Sequence, residues 1–204
     1  MPEISAAEVK KLRDATGAGF MECKKALAES GGDGDKARQL LREWGLADAT
    51  KRAGREQSEG LIHAYLHAPT AGIPPKVGVL LELSTETDFV AKTDDAKQLA
   101  QEIALHIAAM KPVFVSSEEV PEDVLATERE LAAKKVEGKP EKVVEQATQG
   151  AVKKYFQQFC LLEQKWVRDD KQTVKDLIAG YASKMGENIG VRRFVRFQVA
   201  ESTE

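Results

Sequence analysis

The chain predicts an α+β fold: a three-helix module, then a core of a small three-stranded antiparallel sheet with packed helices and a helical hairpin. Three observations predict it. Up to about residue 46, apolar residues recur at helical spacing between Gly-rich breaks. Two alternating apolar runs, Gly60–His67 and Lys76–Ser84, flank the turn-rich stretch from Pro69 to Pro75, as strands flank a hairpin loop. After further helical patterns, the run Ile189–Val199 alternates again and reads as a third strand.

The elements follow in order. Ser5 and Glu8 have the spacing of a capping box, with Ile4 and Val9 placed for a hydrophobic staple. This first helix turns Val9 and Leu12 inward and should stop at Gly17, a good left-handed cap. A second helix is expected from about Phe20 to Ser30, with Cys23, Ala26 and Leu27 on one side. Gly31-Gly32-Asp33-Gly34 interrupts it, and Asp35 starts a third helix with the stripe Ala37, Leu40, Leu41 and Trp44. Residues 47–57 are polar and read as a linker or a loosely packed helix, their Lys51, Arg52 and Arg55 solvated. The expected division is therefore 1–54 and 55–204.

Beyond the first two strands, Ala96, Leu99, Ala100, Ile103, Ile107 and Met110 recur at helical spacing, with Pro112 past the end. Pro121 can open a helix to about Val136, and Pro140 another to about Cys160, joined at Gly138 as a helical hairpin. Thr173 should cap a helix bearing Val174, Leu177, Ile178, Tyr181 and Met185, ended by Gly186. In the last strand Val191, Val195, Phe197 and Val199 share one apolar face, which its own core should claim first.

Bulk composition excludes several classes. Of 204 residues, 42% are hydrophobic and 31% charged, which fits a globular protein and not a disordered one. No run is long and apolar enough for a membrane helix, and the N-terminus does not read as a secretory signal. Cys23 and Cys160 are too few for a disulfide framework and lack metal-site spacing, so a reducing, cytoplasmic setting is expected. The net charge of −3 argues for a protein partner and against direct nucleic-acid binding.

Motifs for chemistry are missing. Gly17-Ala18-Gly19 starts like a dinucleotide fingerprint but follows a helix and lacks the third Gly. No phosphate-loop run occurs, and His63 and His67 sit in a strand-like context without further ligands. No nucleophile has a recognisable base companion. Neither an enzyme nor a cofactor- or metal-binding protein is expected.

The most informative segment is Thr85-Glu86-Thr87-Asp88-Phe89-Val90-Ala91-Lys92, at the corner between the second strand and the helix beyond it. Phe89 has two readings here: a core plug beside a Thr87 or Asp88 cap, or an exposed contact. Phe20 and Met21 open the second helix with no evident core duty, so they suit either a partner contact or a staple between helices. His106 lies beside the Leu99–Ile103–Met110 stripe, where a lone His is usually a satisfied core-edge residue.

Four segments, in order, resemble the elongation factor Ts family. They are the run from Val9 to Leu27, the Thr87-Asp88-Phe89-Val90-Ala91 corner, the run from Leu105 to Pro112, and the run from Met185 to Phe194. Together they span most of the chain. The resemblance implies a ubiquitin-associated-like three-helix domain and a single-copy α+β core of the dimerisation type. It implies guanine nucleotide exchange on GDP-bound elongation factor Tu in translation elongation. Asp88 and Phe89 would insert between helices of the GTPase domain and dislocate its Mg²⁺, with Thr87 and Val90 shaping the corner. Arg13, Phe20 and Met21 would dock on another helix, and His106 would add to the core contact. Ser84-Thr85 stands where the family commonly has Asn-Cys. Val195 stands where some short forms carry a Cys, so a homodimer here would be non-covalent. An RNA-associated adaptor and a peptide-binding module are the alternatives from other classes.

Overall fold

Local capping sets the first module. In the computed structural model, which describes residues 4–68, 70 and 72–201, Ser5 and Glu8 close a complete capping box ahead of α1 (Ala6–Thr16). Gly17 ends α1 in the left-handed conformation at φ 70°. Helix α2 spans Phe20–Glu29, and Asp33 caps α3 (Gly34–Arg52) by accepting from the backbone N–H groups of Asp35 and Lys36. Val9, Leu12, Cys23, Ala26, Leu27 and Ala37 form the buried core of this module, with Ile4, Leu40, Leu41 and Trp44 packed around it.

The third helix runs further than its apolar stripe predicts. The polar residues 47–52 remain helical, so only the short stretch after Arg52 is linker. Two causes act. Asp48 pairs with Lys51 and Arg52 along the helix surface. Helix α3 also packs on α8 (Val174–Met185), where Gly45 lies close to the Ala179 backbone. Arg42 adds a hydrogen bond to the Lys171 carbonyl and an ion pair to Asp176 at 3.7 Å.

The core is built on β1 (Glu59–His67), β2 (Val77–Thr85) and β5 (Gly190–Gln198), antiparallel in the order β1-β2-β5. The loop joining β1 to β2 was expected to turn at Pro69-Thr70-Ala71; Pro69 and Ala71 lie outside the described residues. One face of the sheet is covered by α5 (Asp94–Met110), and α8 packs on α5 in the same core. Leu81, Leu83, Leu99, Ile103 and Ile107 are wholly buried there, each such side chain contributing about 1.5–3 kcal/mol by leaving water. Helices α6 (Glu122–Lys135) and α7 (Glu141–Phe159) form the expected hairpin, turning at Gly138. It rests on a satellite cluster of Val120, Leu125 and Cys160.

Two features depart from expectation. A small ribbon, β3 (Lys165–Trp166) and β4 (Asp169–Thr173), precedes α8; its polar sequence carries no alternation to announce it. Strand β5 also does not keep one apolar face. Its register against β2 slips between Glu82 and Leu83, which pair with Arg193 and Val191 and leave Arg192 as an extra residue. The bulge flips the alternation. Val191 and Phe194 therefore pack on the core, while Val195 and Phe197 point outward, Phe197 with 70% of its surface exposed.

Candidate partner-binding site

The corner after β2 is a one-turn helix, α4 (Asp88–Ala91), held between two threonine caps. Thr87 has extended backbone, and its hydroxyl accepts from the Val90 N–H at 3.4 Å. The Thr93 hydroxyl donates to the Val90 carbonyl at 2.7 Å and accepts from the Ala96 N–H, starting α5. Thr85 is wholly buried, and its hydroxyl donates to the Thr87 carbonyl at 2.8 Å. Thr85 thus folds the corner back on itself. Ser84, beside it, donates to Gln57 at 2.6 Å.

A turn this short can bury only one side. Ala91 is buried and Val90 packs on the main core, which throws Phe89 outward with 79% of its surface exposed. Phe89 is therefore not a core plug. Asp88 stands beside it, paired with Lys92 one turn on. That hydrogen bond holds the Asp88 carboxyl below its usual range, so it is ionised at neutral pH. The corner presents a bare aromatic ring next to a fixed negative charge.

A second carboxylate braces the corner from behind. Glu187 follows Gly186, the left-handed cap of α8 at φ 74°. One Glu187 oxygen accepts from the N–H groups of Glu86 and Thr87, both at 3.1 Å, and the other from the Thr87 hydroxyl at 2.6 Å. Glu86 answers by accepting from the Asn188 N–H and pairing with Arg55 at 3.4 Å. Glu187 and Glu86 had no role in the sequence reading. Nothing near either in the chain marks them, because Glu187 bonds residues about 100 positions away and Glu86 reaches Asn188 102 positions and Arg55 31 positions away.

The other expected residues divide. Arg13, Phe20 and Met21 are exposed around the α1–α2 turn of the helical module, Phe20 at 46% and Met21 at 71%. They are carried by α1 and α2, whereas the corner follows β2. His106 does not belong to either. It is wholly buried, with Nδ1 accepting from the Val167 N–H at 3.2 Å and Nε2 facing Gln164 Oε1 at 2.8 Å. These partners assign the neutral tautomer protonated on Nε2. Gln164 passes its own amide on to the Gln158 carbonyl. Burial pushes the His106 pKa down, against a smaller upward pull from Gln164. The expectation that His106 touches a partner is corrected: the polar ribbon β3–β4 and the turn before it fold over this histidine and satisfy it.

Among the described residues no cluster of His, Cys, Asp and Glu could hold a metal ion, and no helix is long and apolar enough to cross a membrane. Cys23 and Cys160 are free and buried, and burial raises the Cys160 thiol to about 11.

Comparison with known proteins agrees with the four resembling segments. The family model described as Elongation factor TS matches residues 48–201. A protein of Coprothermobacter proteolyticus named Elongation factor Ts is 53% identical over 201 residues, covering 98% of this chain and all of its own length. Proteins of the same name from Moorella thermoacetica and Thermotoga petrophila are 52% and 48% identical. Those matches cover 97% and 99% of this chain and 96% and 99% of the relatives. With a fold of the expected class and relatives matched end to end, the chain belongs to the elongation factor Ts family.

Proposed function

We propose that this protein is a guanine nucleotide exchange factor for elongation factor Tu, acting on the GDP-bound GTPase in the cytoplasm and carrying no chemistry of its own. The observation that carries the reading is the exposed Phe89 ring on a fully braced corner. An aromatic ring held in water by a rigid mount has an unmet gain of burial, which an apolar recess on a partner supplies. In this reading Asp88 and Phe89 enter between helices of the GTPase domain, while Thr87 and Val90 set the angle of entry. Residues 1–54 act as the docking unit through Arg13, Phe20 and Met21, and residues 55–204 as the exchange unit. His106 serves inside the core.

The mechanism is linkage. A GTPase holds GDP through its phosphate loop and a Mg²⁺ ion that tolerates little displacement from octahedral geometry. A wedge that moves the helices behind this site disturbs both. Because coupling free energies are reciprocal, a factor that weakens GDP is itself weakened by GDP. The test is release of labelled GDP from elongation factor Tu. Catalytic amounts of the chain should accelerate release without hydrolysing GTP, and an unchanged rate at saturating folded protein would sink the assignment.

We also propose that a second copy of the chain occupies the outer face of the sheet. Register sets Ala64, Leu80 and Val195 side by side, and Leu66, Gly78 and Phe197 beside them. Ile62, Leu66, Leu80 and Phe197 are exposed there. Glu82 with Arg192 and Arg193 at one end gives the patch both charges, as a two-fold contact of one surface with itself requires. With Val195 in the strand and both cysteines buried, the contact is non-covalent. Sedimentation equilibrium under reducing conditions should give the dimer mass, and Phe197→Glu should return the monomer. Monomer mass for the unaltered chain at tens of micromolar would refute the dimer.

A further inference from the structure

We infer that Glu187 is a positioning residue for nucleotide exchange: its carboxylate sets the polarity of the Thr87 cap and so aims Phe89. The inference rests on the reading of the corner as the exchange element. Its basis is a chain of donors and acceptors with no freedom left in it. The Thr87 hydroxyl has a single proton. It is given to Glu187 Oε1 at 2.6 Å, which leaves the hydroxyl oxygen to accept the Val90 N–H and cap α4. Glu187 Oε2 meanwhile takes the Glu86 and Thr87 N–H groups, two backbone donors at a bend with no strand or helix partner.

All three donors need acceptors, and the two oxygens of the side chain supply them. A carboxamide of the same shape would turn an NH₂ toward either the hydroxyl or the two backbone N–H groups. In the first case the hydroxyl gives up its present role, and in the second two donors face a donor. Thr87 is the residue before Asp88, and Phe89 follows. A shift at the cap is therefore passed to the ring within one turn. The clamp runs both ways across the same gap, since Glu86 accepts from Asn188 while the Asn188 side chain donates to the Arg55 carbonyl at 2.9 Å. Thr85 restrains Thr87 as well, by donating to its carbonyl.

The test measures the rate of GDP release from elongation factor Tu against factor concentration for the full chain and for Glu187→Gln, Phe89→Ala and the double variant. Glu187→Gln should lower the rate at saturating factor roughly ten- to a hundredfold, the worth of a hydrogen bond to a charged group. The half-saturating concentration should move little, because Arg13, Phe20 and Met21 are untouched. A role confined to stability would do the reverse, since a smaller folded fraction shifts half-saturation and leaves the plateau. In the Phe89→Ala background, Glu187→Gln should add less than about a twofold further loss, as expected for residues acting as one unit. Full additivity, or a plateau kept by Glu187→Gln while Phe89→Ala loses it, would overturn the inference. A plateau unchanged by Phe89→Ala itself would instead refute the reading of the corner. Should Glu187→Gln prove too unstable to assay, Thr87→Val, which removes the hydroxyl at the other end of the bond, must lower the plateau in the same sense; a full rate there also overturns it.

Discussion

Phe89→Ala is expected to slow GDP release from elongation factor Tu by about thirtyfold or more while the protein melts at nearly its original temperature. The magnitude follows from interface aromatics, whose truncation typically costs about 2 kcal/mol or more, against roughly 1.4 kcal/mol per tenfold. The unchanged melt follows from position. With 79% of its surface already in water, Phe89 leaves no cavity when truncated, and exposed substitutions are usually within about 0.5 kcal/mol. Circular dichroism melting beside the release assay separates the outcomes. A large drop in melting temperature that accounts for the lost exchange would return Phe89 to the core. Asp88→Ala should cost less, because its charge is solvated and already shared with Lys92.

His106 carries the opposite expectation: a large effect on stability. His106→Ala removes an imidazole from a fully buried site and strands the Val167 N–H and the Gln164 carbonyl oxygen. Loss of this kind costs about 3 kcal/mol, or roughly 6–12 °C in a chain of this size. The same burial makes stability depend on pH. The folded pKa is depressed below the ordinary 6.5, so the contribution is complete above pH 6.5. It is lost as pH falls, because the unfolded chain takes up the proton first. Melting temperature should therefore fall between pH 7.5 and 5.5 by more in the native protein than in His106→Gln. Equal falls in both would show that the buried imidazole does not set this dependence. Carboxylates held low by hydrogen bonds, such as Glu8 and Asp33, act in a lower window and leave this one clear.

What the sequence makes legible is what neighbours in the chain decide. The Ser5–Glu8 box, the Gly17 and Gly186 stops and the Thr173 cap each depend on residues within one turn, and all appear where their spacing predicts. The direction of Phe89 does not depend on neighbours alone. It required knowing that Val90 would be claimed by a core assembled from β2, α5 and α8, and that Ala91 would be buried too. The β5 bulge is similarly hidden: alternation written in one strand cannot reveal a slip that exists only against β2. His106 misled because its stripe looks like a helix edge, and the residues that cover it are polar and without period. Glu187 sat inside a resembling segment, yet its purpose is visible only where two distant backbones meet. Membership of the elongation factor Ts family was readable from the chain; the mounting of its corner was not.

The clamp on Thr87 has a consequence for how the protein comes into being. Every bond Glu187 makes to the corner spans about a hundred residues, and β5, which closes the sheet against β2, follows immediately after it. A ribosome delivers Phe89 long before it delivers Glu187. During that interval Thr87 lacks the acceptor that orients its hydroxyl, and β2 has one open edge. Contacts of such sequence separation are the slow ones to form, since the loop between them must first be closed. On the proposed reading of the corner, competence in exchange arrives as a late step of maturation, and a nascent chain stalled before α8 ends carries Phe89 without the Glu187 clamp.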